Sequence, residues 1–175
     1  MIRQILEAND PRLRSVSKKV ERIDKKILSL IKDLKETLSF QKDPEGIGLA
    51  APQVGKKLRI FIMKPKSDIR VVINPVIIKI NKAAKSVQKR KRIMEGCLSL
   101  PNFYSPLERR MTITIKYKNE NDQDLLETFT NIEAQIVQHE IDHLNGVLFI
   151  DRLIEQKKPL YEYLDGDWEE VELPQ

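Results

Sequence analysis

The stretch Thr130 to Gly146, TNIEAQIVQHEIDHLNG, carries the reading on which the fold turns. Thr130 followed three residues later by Glu133 has the form of a capping box. Ile132, Ile136, Val137, Ile141 and Leu144 then supply apolar positions at helical spacing, until Gly146 can end the helix in a left-handed conformation. The segment reads as a helix. The strands expected before it are short and set apart from the helices, a mixture that indicates an α+β fold.

On this helix His139 and His143 stand four apart, so both imidazoles leave one face about a turn apart and can converge on one ion. Glu140, beside the first, can reach a water at that ion rather than the ion itself. Two histidines on a surface helix are the ordinary alternative. Against it, the chain has 2 histidines in all, and both fall in this H-E-x-x-H pattern. A catalytic site needs three protein donors and one open position, and no histidine remains for the third. Glu155, Glu162 and Glu169 downstream would complete a site of two histidines and a glutamate, as in a metalloprotease; Cys97 upstream, in EGCLSLP, would add a thiolate. The downstream acids lie in a charged, turn-rich tail with no helical pattern to aim one back, which favours Cys97. A free cysteine is also commonly a small core residue. Read as a nucleophile paired with histidine, it would leave the H-E-x-x-H geometry unexplained.

Upstream, Ile27, Leu30, Ile31, Leu34 and Leu38 recur at spacings of three and four, predicting an amphipathic helix from about Asp24 to Phe40 with Asp24 as N-cap. The turn EGIGLAAPQVG follows. Its small residues, Gly46, Gly48, Ala50 and Ala51, allow another backbone to approach closely, and Gln53 adds a neutral amide donor. The glycine spacing is not that of a dinucleotide or phosphate loop. LRIFIM (58–63), VVIN (71–74), VIIKI (76–80) and MTITIKY (111–117) read as strands, followed after the turn-like NENDQD by one more that runs to Phe129.

At 175 residues, with 41% hydrophobic and 33% charged residues, the chain is the size of one domain and can bury a core. No apolar run approaches the roughly 20 residues that cross a bilayer, and Arg3, Glu7 and Asp10 interrupt any signal-type opening, so a cytoplasmic location is expected. The single cysteine suits a reducing compartment. The net charge of +5 hides an asymmetry. Lys82, Lys85, Lys89, Arg90, Lys91 and Arg92 form a basic run, while 162–175 hold six acids and no Lys or Arg. A basic run is usually a solvated loop, and the sharper reading is contact with an anionic partner such as RNA.

Three elements in order, GIGLAAPQ (46–53), EGCLS (95–99) and QHEIDH (138–143), resemble the three motifs of the peptide deformylase family. ILEANDPRLR near the start and LNGVLFIDRL after the metal helix extend the resemblance to about Leu153. It implies antiparallel β-sheets around a central helix carrying His139 and His143, and one divalent metal, commonly Fe(II), with Zn(II) also suited to such donors. The implied reaction removes formyl from the N-terminal methionine of newly made polypeptides and releases formate. Carried over by position, Cys97, His139 and His143 are the metal ligands, and Glu140 is the acid/base. Gln53 and the Leu98 N–H bind the oxyanion, and Glu95 and Arg109 form a supporting ion pair. Gly46, Ile47 and Gly48 offer backbone to the substrate, with Ile47, Ile93 and Ile136 as candidates for an apolar methionine pocket.

The implied partners are N-formylmethionyl nascent peptides and, transiently, the ribosome, with no membrane and no DNA. Two features depart from the family pattern: KAAKSVQKRKR before the cysteine motif is unusually basic, and LDGDWEEVELPQ would repel RNA where a basic C-terminal helix contacts the ribosome in some members. The other readings are a small metalloprotease with a downstream glutamate ligand and a basic RNA-binding protein with a structural metal.

Overall fold

The computed structural model describes residues 1–42, 45–65, 68–81 and 94–172. The basic run 82–92 and Ile93 lie outside these. Helix α1 (Lys25–Phe40) leads to β1 (Gly48–Ala50), β2 (Ile60–Met63), β3 (Arg70–Ile80), β4 (Glu95–Cys97), β5 (Leu100–Ser105), β6 (Thr112–Lys118) and β7 (Asp124–Thr130). Helices α2 (Asn131–Leu144) and α3 (Phe149–Gln156) and strands β8 (Leu160–Leu164) and β9 (Asp167–Val171) follow. One antiparallel sheet has the order β1-β2-β3-β6-β7, the other β4-β5-β8-β9. The fold is α+β.

Strand β2 shows why the larger sheet is covered on both faces. Its residues IFIM are all buried. Phe61 and Met63 pack in a core with Ile136, Val137, Ile141 and Leu144 of α2; Ile60 and Ile62 pack in a second core with Leu30, Ile31, Leu34 and Leu38 of α1. A strand buried on both sides reads as an unbroken apolar run, and this one does. A third, smaller core holds Cys97, Leu107, Phe149, Leu153 and Leu160.

Asp24 caps α1 as expected, its Oδ1 accepting from the N–H groups of Lys26 and Ile27 at 2.9 and 3.0 Å. The capping box expected at Thr130 does not form. Asn131 takes φ 53° and its N–H donates to Met111 O at 2.9 Å, so the sheet ladder runs on into the first helical residue and changes direction there. At the other end Gly146 has φ 73°, and a Cβ on it would lie 2.5 Å from Arg14 O, so both conformation and space require glycine. VVIN and VIIKI form one strand rather than two. Pro75 sits where the β3–β6 register shifts, which spares the ladder the missing N–H. The acidic tail is a hairpin, β8–β9, annealed to β5.

The N-terminal segment laces these parts together through backbone bonds. Leu6 N–H donates to Gln53 O and Ala8 N–H to Ser99 O, both at 2.8 Å, and Ser17 N–H donates to Leu144 O at 2.9 Å. It thereby touches all three stretches that resemble family motifs or directly follow one.

Leu34 is 0% exposed in the α1 core, whereas Leu28 on the same helix is 43% exposed. Leu34→Ala is expected to lower unfolding free energy by about 2–5 kcal/mol in urea titration, and Leu28→Ala by no more than about 0.5 kcal/mol. Equal losses would show that α1 does not bury the face described.

Candidate metal centre and its cleft

His139 and His143 lie on one face of α2, and Cys97 ends β4 on the other sheet. All three are buried, and their donor atoms lie within 4.8 Å of one another. The two Nε2 atoms are 3.2 Å apart, and Cys97 Sγ is 3.3 Å from His143 Nε2. Two nitrogen ligands about 2.05 Å from a tetrahedral ion lie about 3.3 Å from each other, so the donor set fits one ion. Burial pushes the Cys97 thiol up, but His143 and His139 outweigh it and hold the thiol well below its ordinary pKa, the direction a thiolate ligand requires.

Glu95, two residues before the cysteine, orients His139. Its Oε1 lies 2.8 Å from His139 Nδ1, which turns Nε2 toward the other donors. Arg109 holds this carboxylate through Nε at 3.0 Å and Nη2 at 2.7 Å, and Gln135 Nε2 adds a bond at 3.1 Å. Burial opposes charge on Glu95, but the bonds from His139 and Arg109 win and hold its carboxyl down at about 2. Arg109 Nη1 also bonds Asp142 Oδ2 at 2.6 Å, and Arg152 from α3 grips Asp142 at 2.7 and 3.0 Å. One chain of charge thus runs from the donor cluster through β4 and α2 to α3.

Glu140 is 3% exposed. Burial, against the pull of His139 and His143, holds its carboxyl up at about 7, and Oε2 has no hydrogen-bond partner among the described residues. Gly48 makes room for it: a Cβ there would stand 2.2 Å from Glu140 Oε1. Gln53, in the 3-10 turn Ala51–Val54, is fixed end to end. Its Oε1 accepts from Ala50 N–H at 2.8 Å, which assigns the amide, and Nε2 points to Ser99 Oγ at 3.2 Å and Cys97 Sγ at 3.6 Å.

Gln53, Glu95, Cys97, His139 and Glu140 line one cleft of about 310 Å³, and His143 lies behind it, beside a small neighbouring cavity that Cys97 and Ser99 also line. Its walls include β1 and β4, each the terminal strand of its sheet, and α2 contributes Ile132, Gln135, Ile136, His139 and Glu140. Gly46, Ile47, Gly48, Glu95 and Leu98 also face it. Of the pocket candidates, Ile47 and Ile136 line the cleft, and Ile93 lies outside the described residues. Ile132, read in the sequence only as part of the helical stripe, also lines the cleft one turn before Ile136. Ser99, Asp142 and Arg152 were missed; Asp142 and Arg152 gain their role from Arg109 and from each other, contacts that no local spacing signals. The downstream acids do not join the donor group: Glu155 pairs with Arg152 at 2.8 Å, and Glu162 and Glu169 lie on the hairpin.

The family description that matches the chain is Polypeptide deformylase, over residues 2–159. The chain belongs to this family. A peptide deformylase of Pseudothermotoga lettingae is 48% identical over 151 residues, covering 86% of this chain and 82% of the relative. A crystal structure of the peptide deformylase of Thermotoga maritima superposes with TM-score 0.77 at 37% identity, covering 87% of this chain and 97% of that one. A Synechococcus elongatus deformylase solved in complex with actinonin gives TM-score 0.74 at 36% identity, covering 85% and 76%. Among the described residues no helix is long and apolar enough to cross a membrane.

Arg109→Leu would leave Glu95 and Asp142 buried without their shared partner. It is expected to weaken metal affinity about 10–100-fold in competition with a chromogenic chelator, and to lower the melting temperature. Arg152→Leu, which leaves the Arg109 bonds in place, should do much less. Wild-type metal affinity in Arg109→Leu would remove its role.

Proposed function

We propose that this chain hydrolyses the formamide bond of N-formylmethionyl peptides with Cys97, His139 and His143 as metal ligands, Glu140 as proton carrier, and Gln53 with the Leu98 N–H as oxyanion donors. The observation that carries the reading is the convergence of three metal donors at the wall of one cleft, lined also by a buried carboxyl and an amide whose donor end is fixed toward them. Fe(II) is the expected ion. When bound, a divalent metal polarises the formyl carbonyl and lowers the pKa of water at the site.

The protein's own residues carry the rest. Glu140, raised toward neutrality by burial, is suited to accept a proton at its free Oε2 as water attacks the formyl carbon. Gln53 Nε2 and the Leu98 N–H donate to the formyl oxygen as charge grows on it. Glu140 then returns its proton to the leaving amine, so one water is consumed and formate and a free α-amino group are released.

The cleft explains the choice of an extended, N-terminal substrate. The edge of β1, with Gly46, Ile47 and Gly48, can pair with a peptide by strand addition, and Ile47, Ile132 and Ile136 offer apolar surface to the methionine side chain. Recruitment of a downstream glutamate as third ligand, which the protease reading requires, is disfavoured by the surface pairing of Glu155 and the hairpin location of the other two. A binding module with a structural metal would leave the cleft and the buried Glu140 without use.

Glu140→Gln should retain stoichiometric metal while formate release from formyl-Met-Ala falls by about 10²–10⁴. Gln53→Leu should lose about 10²–10³ in kcat. Gly48→Ala should keep its metal yet lose turnover, because the new methyl displaces the Glu140 carboxyl. Wild-type turnover in Glu140→Gln under anaerobic Fe(II) loading would contradict the assignment.

A further inference from the structure

The family match ends at residue 159, and the β8–β9 hairpin begins immediately beyond it. That hairpin reaches the cleft. Tyr163 of β8 lines the same cavity as His139, Glu140 and Gln53. Trp168 of β9 lies opposite it in the register, with ring centroids 4.8 Å apart, and meets Tyr104 of β5 edge-on at 5.4 Å. Tyr104 in turn lies over Gly96, where a Cβ would stand 2.7 Å from its ring, next to the ligand Cys97. An aromatic surface therefore runs from the metal ligand's own strand, across β5, to the hairpin.

Strand alternation fixes what shares that surface. Tyr161 pairs with Tyr104 and with Glu170, and Tyr163 with Trp168, so Glu170 stands on the aromatic face. Glu170 is exposed and takes part in no ion pair among the described residues, whereas Asp167 and Glu169 alternate to the opposite face. Tyr163 and Trp168 are 40% and 50% exposed, so ring surface is open to a ligand. Open aromatic faces with an unneutralised carboxylate beside them suit a cationic side chain. Tyr163 lines the cleft itself, so a peptide longer than formyl-Met-Ala can meet the hairpin.

We propose that this hairpin is a specificity-determining wall of the cleft, on which Tyr163, Trp168 and Glu170 receive a Lys or Arg side chain downstream of the formyl-methionine. The proposal rests on the deformylase reading above. Acidic peptides meet like charge at the same place and are disfavoured.

The test compares formyl-Met-Ala-Ala-Lys-Ala with formyl-Met-Ala-Ala-Glu-Ala on the Fe(II)-loaded full chain, with formyl-Met-Ala as a substrate too short to reach the hairpin. At low ionic strength the Lys peptide should exceed the Glu peptide in kcat/KM by about three- to fivefold, the factor an exposed cation–aromatic contact supplies. The ratio is read within each variant, so differences in basal rate cancel. It should fall toward one in Tyr163→Ala and shrink in Glu170→Gln, a variant that keeps the hairpin's size and shape. Trp168, the 1 tryptophan of the chain, gives a second readout. Its emission should change when Met-Ala-Ala-Lys-Ala binds and stay constant with Met-Ala. A ratio of one in the wild type, or an intact ratio in both variants, overturns the hairpin's role while formyl-Met-Ala is still cleaved. Absence of formyl-Met-Ala turnover overturns the activity, and this inference with it.

Discussion

Arg109 stands between two buried carboxylates, Glu95 at 2.7 Å and Asp142 at 2.6 Å, with its own side chain only 8% exposed. Glu95 belongs to β4, two residues from Cys97, and Asp142 belongs to α2, one residue from His143. The guanidinium therefore ties the strand that delivers the thiolate to the helix that delivers the imidazoles. Its planar fork is suited to this, because it satisfies Glu95 through two donors and still reaches Asp142 with a third. A buried triad of this kind is weak evidence for stability in itself, since desolvating the charges offsets much of their attraction. Its use here is positional. It sets the His139 ring and the separation of the two donor segments.

Around that tie the architecture leaves open what a peptide needs. Two antiparallel sheets present terminal strands β1 and β4 to one cleft, and α2 lies along it with His139 and Glu140, His143 standing one turn behind. Small residues keep it open: Gly48 admits the Glu140 carboxyl, and Gly96 admits the Tyr104 ring. The same crowding raises the Glu140 pKa, so the packing that shapes the cleft also tunes the group proposed to move the proton.

Much of this was legible in the chain. The α2 stripe, the Asp24 cap and Gly146 are local signals, and local signals survive folding because their partners lie within a few residues. Cys97 was reachable by asking what third donor two histidines lack. The parts that were not legible depend on distant partners. Thr130 and Glu133 had the letters of a capping box, but the β6–β7 ladder continues into Asn131 and overrides it. Pro75 looked like a break between strands because the register shift that accommodates it is a property of the paired strand. The stretch 162–175 read as a charged, turn-rich tail because the contacts that anchor the hairpin, through Leu160 and Val171, are to a core built elsewhere in the chain. Asp142 carried no sequence signal at all, since Arg109 reaches it from 33 residues away.

The central claim is that the metal is held by one sulfur from β4 and two imidazoles from α2. X-ray absorption fine structure on the Zn(II)-loaded protein tests it most directly. The structure predicts one sulfur scatterer at about 2.3 Å, with two imidazole nitrogens at about 2.0–2.1 Å and one further light atom. A shell of nitrogen and oxygen alone would exclude Cys97 and place the third donor elsewhere in the chain.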